Sequence, residues 1–244
     1  MEYSFYKNSI NPKEKVNNPA GFPKRNKSTK VLGVEDLYLK ILWLKDKETN
    51  HIIITLDTLY FPTDIASIIF KYLYITYRIS KESILLNASH THSAPNVSFE
   101  SFGRIDHSYI HEIADKIVVG LDNCYSNFQD CYIDYDNLSC DYNLFINRRK
   151  RGRDIRSLFI KRRTIMLPNE ERKVDNNIRI LKIYNTEMEI EGLMYNLSCH
   201  PVFNTSNHCT SDFVVLQYSY RDLQEMFDQT IRKQKQQLKT LKII

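Results

Sequence analysis

"PTDIASIIFKYLYITYR" (residues 62–78) followed by "SILLNASH" (residues 83–90) decides the architecture of this chain. In the first stretch Ile65, Ile68, Ile69 and Leu73 recur at helical spacing, the signature of a helix packed on a larger body. Pro62 suits a first helical turn, and Asp64 falls near the positive end of the helix dipole. The second stretch is a short apolar strand that runs into a histidine. Ahead of the helix stand two β-rich runs, "LYLKILWL" (37–44) and "HIIITLD" (51–57), joined by the polar turn "KDKETN". Beyond it, "SYIHEIADKIVVGLDNCY" (108–125) resumes helical spacing with Ile110, Ile113, Ile117 and Leu121. Strand, helix, strand, helix is an α/β rhythm, and the expectation is an α/β fold with a mixed sheet flanked by helices.

Further strands are expected at "CYIDYDN" (131–137), "IRILKIYN" (178–185) and "IEGLMYNLSCH" (190–200), the last two separated by the turn-like "TEME". Residues 219–244 begin with a helical pattern and pass into a Lys/Gln tract. Residues 1–30, rich in Asn, Lys and Pro, are expected to be irregular. The organisation read from the sequence is therefore an irregular segment 1–30, one folded domain 31–228 and a Lys/Gln-rich tail 229–244.

With 42% hydrophobic and 26% charged residues, 244 residues suffice for one substantial core or two small ones. No apolar run approaches the roughly 18 residues needed to cross a bilayer, and the best candidate is broken by Lys71 and Arg78. The start, "MEYSFYKNSINPKEK", lacks the basic, apolar and small-residue succession of a secretory signal, so as written the chain is expected to be cytoplasmic. Five cysteines without a C-x-x-C pair read mostly as free thiols. Much of the +5 net charge lies in "NRRKRGRDIRSLFIKRR" (147–163), which suits phosphate, nucleic acid, an anionic membrane surface or simply a solvated loop. No helix-turn-helix, zinc finger or RNP-type sequence accompanies it, and nucleic acid is not an expected partner.

The chemistry lies in "NASHTHSAPN" (87–96), which places His90 and His92 one residue apart at a strand end. In an extended chain positions i and i+2 point the same way, so the two imidazoles should share a face. His200 closes another apolar run, "GLMYNLSCHP". If both strands lie in one sheet with the same sense, three imidazoles converge, which is a metal site in outline. Zinc takes neutral imidazole nitrogens and carboxylates, and Asp57 and Asp212 supply carboxylates nearby in sequence. His51, His107, His111 and His208 stand alone and read as structural or surface residues.

"NASHTHSAP" resembles the H-T-H-S-G-P signature of the neutral/alkaline, non-lysosomal ceramidase family. Four more pieces follow that family's order: "GVEDLYLKILWL", "IIITLD", "FINRR", and "LSCHPVF" with "TSDF". The match covers approximately residues 20–225 and corresponds to the N-terminal part of the family's catalytic domain. The resemblance implies an incomplete ceramidase-like catalytic domain and a Zn2+-dependent amidase that hydrolyses the N-acyl bond of ceramide or a related lipid amide, its substrate held at a membrane surface. It assigns metal binding to His90 and His200, hydrogen bonding or proton transfer to His92, and steadying of the substrate or oxyanion to Arg148. A fixed guanidinium suits negative charge developing on an attacked carbonyl oxygen.

The chain departs from the pattern at Ala94, where the family has Gly, and at Asn96 and Val97, where glycines follow the proline. The family's remaining ligands, a Glu and a Tyr, lie beyond the position matching Ile244. Three readings follow: a fragment or frameshifted product of a longer enzyme, a short homologue using Asp57, Asp212 or His208 as third ligand, or a chain that has lost catalysis. From another class comes a non-catalytic lipid- or anion-binding protein using residues 147–163. An unrelated amidohydrolase barrel ranks last, because at least two strand-like runs precede the H-x-H here.

Overall fold

The structure is a computed structural model, and the residues described are 1–12, 20, 36–47, 49–99, 105–139, 146–153 and 162–198. Its first sheet has the order β4-β3-β2-β1-β5. β2 (Tyr38–Asp46) and β3 (Thr49–Leu56) form an antiparallel hairpin. The chain reverses at Lys47, whose φ of 53° is left-handed. The register places Leu39 opposite Leu56, Ile41 opposite Ile54 and Trp43 opposite Ile52. Each of these six residues is buried, so alternation along two strands produces one apolar face.

β1 (Glu2–Ser9) pairs antiparallel with β2 along its whole length, from Glu2↔Lys45 to Ser9↔Tyr38. Residues 2–9, read from the sequence as part of an irregular stretch, are a strand instead. Tyr3, Phe5 and Tyr6 are β-formers, and the open edge of β2 supplies the pairing that the polar composition conceals. β5 (Gln129–Asp130) adds a short strand on the far side of β1.

From β3 the chain enters α1 (Thr63–Tyr77) and returns as β4 (Ile84–Ala88), parallel to β3. Parallel neighbours require such a crossover. Ile65, Ile69 and Leu73 of α1 face the core. Ile68, grouped with them by spacing, is 45% exposed. The buried stripe thus follows i, i+4, i+8 alone. Pro62 sits at the N-cap rather than inside the first turn, while Asp64 does occupy that turn. α2 (His107–Ser126) starts at Asp106, whose carboxylate accepts from Tyr109 N–H at 3.0 Å. It buries Ile110, Ile113, Ile117 and Leu121 as its spacing predicts. A Cβ at Gly120 would lie 2.7 Å from Ile41 Cδ1 and 2.6 Å from the Tyr6 ring, which is how closely α2 approaches β1 and β2. Both helices and the inward faces of β1–β3 share one core.

Contacts divide the described residues into a first unit ending at Cys131 and a second beginning at Tyr132. The reason is pairing: in the second unit, β6 (Tyr132–Ser139), β9 (Asn177–Tyr184) and β10 (Ile190–Asn196) form a sheet of order β10-β9-β6, separate from the first. β7 (Asn147–Arg153) and β8 (Arg162–Asn169) form a two-stranded antiparallel ribbon. The basic run therefore contributes strands where the sequence offered a loop as one reading. Residues 186–189 make the expected turn, with Asn185 N–H donating to Glu189 O at 2.9 Å. Cys124 and Cys131 are free, buried thiols, and burial pushes the Cys124 pKa up to about 11. Cys140, Cys199, Cys209 and the expected segment 219–244 lie outside the described residues.

Candidate metal centre

Strand direction builds the site. β3 and β4 are parallel with Leu56 opposite Ala88, so their carboxyl ends finish at one sheet edge. Antiparallel β2 brings its amino end, Tyr38, to the same edge, and β1 brings Ser9. Open α/β sheets hold ligands at the carboxyl ends of such strands. Past the strands, Ser89 N–H still donates to Leu56 O at 2.9 Å, and Asp57 N–H to Tyr38 O at 3.0 Å.

β4 ends at Ala88, so His90 and His92 are not presented by strand alternation as the spacing implied. His90 instead adopts φ 63°, a left-handed conformation uncommon for a residue with a Cβ. The outcome is nevertheless adjacency: the His90 and His92 rings stand 5.3 Å apart at 84°. The ring centres of Tyr60 and His90 stand 5.5 Å apart at 73°. Nδ1 of His90 lies 2.8 Å from Leu59 O. A carbonyl only accepts, so Nδ1 carries the proton in this hydrogen bond. Metal-binding histidines are oriented by just this kind of backbone partner.

The loop behind the histidines is rigidly tied. Ala94, Asn96 and Val97 are buried, and Ala94 O accepts from Ala20 N–H at 2.9 Å. Ala94 is not among the residues with positive φ, so its backbone conformation does not itself require glycine. Asn96 O accepts from Asp106 N–H at 3.0 Å, which links the loop to the start of α2.

Asp57, at the end of β3, accepts from Tyr38 N–H at 2.9 Å through Oδ2. The residue keeps some exposure, but its carboxyl group is enclosed. Burial raises its pKa, against the lowering influence of Lys40, the Tyr38 N–H, Ser89 and Lys7. Lys7 stacks its ammonium 3.8 Å from the Tyr38 ring centre, and burial together with Lys40 pulls its own pKa down. The folded protein thus retains the Asp57 proton over a range where the unfolded chain has lost it. Stability should fall as pH rises from the ordinary Asp range, about 3.9, through the raised value. Asp57→Asn should remove that slope and be the more stable of the two proteins above the window. Denaturant titrations of both proteins at a series of pH values check this, and a wild-type advantage that grows with pH would show that the lysines and donors outweigh burial.

Of the expected site residues, the structure brings His90 and His92 together. Arg148 belongs to the second unit, on β7 opposite Leu167 and Pro168, where the β7–β8 register shifts by one residue. Pro168 lacks an N–H, which is why the ladder slips there. His200, Asp212 and His208 lie outside the described residues, whereas His51, His107 and His111 are exposed. Among the described residues no group of three His, Cys, Asp or Glu could hold a metal, so Asp57 does not complete a triad with the two histidines. The donor chemistry at His90 fits a zinc ligand. The Leu59 carbonyl and Tyr60 were not foreseen, and no local pattern marks them.

The fold has solved counterparts. A ceramidase in complex with C2 matches with a TM-score of 0.62 and 14% identity, over 82% of this chain and 31% of that one. Neutral ceramidase from Pseudomonas aeruginosa matches with a TM-score of 0.64 and 14% identity, over 86% of this chain and 34% of its own. In fold, this chain is similar to the neutral ceramidases. It spans about a third of the length of those structures. No family model and no curated protein sequence matches. The ceramidase-like part thus includes most of this chain, and agrees with the mixed α/β architecture expected from the sequence.

Proposed function

We propose that the chain is a zinc-dependent amide hydrolase, or the part of one that carries the histidine pair, acting on ceramide or a related lipid amide. The observation that carries this reading is His90, whose Nδ1 faces Leu59 O at 2.8 Å with the His92 ring 5.3 Å away. The fold similarity to ceramidases supports the substrate class. His90 and His200 would hold the metal. Bound zinc supplies Lewis acidity toward the amide carbonyl and toward water.

The chain's own residues do the rest. His92, beside His90 and half-buried, moves a proton between water and the leaving amine. Arg148, assigned by the resemblance, would pair with negative charge developing on the carbonyl oxygen. Tyr60 and the Leu59 carbonyl keep the His90 ring from turning. The test is zinc content of the purified full chain by mass spectrometry, alongside release of fatty acid from an N-acylsphingosine. About one zinc per chain, with turnover lost to a chelator and restored by zinc, supports the reading. Chelator-insensitive turnover, or no zinc bound after dialysis against a zinc-containing buffer, overturns it.

A further inference from the structure

The β7–β8 ribbon has a composition that the hydrolytic site does not explain. β7 reads NRRKRGR and β8 reads RRTIMLPN, with no acidic side chain in either strand. Register sorts these residues. Arg149 stands opposite Met166 and Arg151 opposite Thr164, and facing partners in an antiparallel pair share a side. Lys150 stands opposite Ile165 on the other side.

On the side of Lys150 the lysine is exposed, but its neighbours Gly152 and Ile165 are not. Ile165 leans over Gly152, where a Cβ would come within 2.2 Å of its Cδ1, and both residues are half-buried. Arg149, Arg151, Thr164 and Met166 are all exposed, Met166 at 65%. Leu167, the next residue along β8 and so on the alternate side, and Ile146 before β7 are exposed as well. Two guanidiniums alternating along a strand, with exposed aliphatic chains beside them and no aromatic platform on the ribbon, match an interface between phosphate and hydrocarbon. Single-stranded nucleic acid would instead call for rings on which bases stack.

We infer that the Arg149–Arg151–Met166 face of the ribbon docks on an anionic lipid surface, the arginines binding headgroup phosphates and Met166 entering the acyl boundary. The choice of membrane over other polyanions rests on the lipid-amide reading above, whereas the face itself does not. A docked ribbon would hold the enzyme where a lipid amide resides.

The experiment is flotation of the full chain with phosphatidylcholine vesicles, with and without phosphatidylserine. Binding should require phosphatidylserine and weaken with salt. The double change Arg149→Gln, Arg151→Gln should lower affinity roughly 25-fold, about fivefold per cation. Met166→Ser should lower it about tenfold. Lys150→Gln, on the other side, should stay within about twofold. Unchanged melting of each exposed-site variant excludes misfolding as the cause. Equal binding to neutral vesicles, an equal loss in Lys150→Gln, or tight binding to a single-stranded RNA with Met166→Ser silent would overturn the inference. Zinc content, read on the same samples, reports separately on the hydrolase reading.

Discussion

Replacing His90 with alanine should strip the protein of zinc, lowering metal affinity by more than the roughly 10–100-fold that loss of an outer hydrogen-bond partner costs. The ring removed is the one whose tautomer the Leu59 carbonyl sets. Replacing His92 instead should leave zinc in place and slow amide hydrolysis about 10²–10⁴-fold, the range for loss of a positioned acid or base. Zinc titration monitored by a competing chromophoric chelator, together with single-turnover hydrolysis, separates the two. If His90→Ala retains wild-type affinity, the metal reading of this edge is wrong.

The backbone at His90 makes a companion result specific to this fold. At φ 63° a residue with a Cβ bears a left-handed conformation that costs roughly 1–2 kcal/mol. His90→Gly should therefore be as poor in zinc as His90→Ala yet more stable by about 1 kcal/mol. Equal stability of the two variants in urea would mean that the turn is not held as described.

Trp43→Ala should be among the most damaging core changes, costing about 3–5 kcal/mol. Trp43 is fully buried at 0% exposure and faces Ile52 across the hairpin. Its ring meets Tyr77 at 5.5 Å and Phe128 at 5.7 Å, both edge-on, and Tyr125 at 5.9 Å. Nε1–H donates to Asn50 Oδ1 at 2.9 Å. Truncation would remove the apolar contact of a helix end, a strand and the α2–β5 connection together. Trp43→Phe keeps most of the ring contact and gives up the hydrogen bond, so its cost should be nearer 1 kcal/mol plus the lost area. Equilibrium denaturation followed by circular dichroism measures both. A Trp43→Ala protein within about 1 kcal/mol of wild type would show that this cluster is not tightly packed.

The elements legible in the sequence were those whose burial is periodic within one segment. α1, α2 and the β2–β3 hairpin each carry their apolar spacing locally, and the spacing needs no knowledge of what covers it. β1 was hidden because its three aromatics lie in a stretch dominated by Asn, Lys and Pro. Only the free edge of β2 turns those residues into a strand. The β7–β8 ribbon was hidden for a related reason: charge dominates its composition, and pairing with β8 alone reveals that Arg149 and Arg151 share a side.

At the histidines the division is sharper. Residue order alone placed His90 and His92 next to each other beside a strand end, because two residues so near in the chain cannot be carried far apart. The tertiary structure decided which nitrogen of His90 is engaged, since its partner at Leu59 is 31 residues away and arrives only through the crossover that makes β3 and β4 parallel. Periodicity is a property of one segment's backbone, whereas a hydrogen-bond partner is a property of the path the chain takes, and that path is set by the shared core beneath α1 and α2.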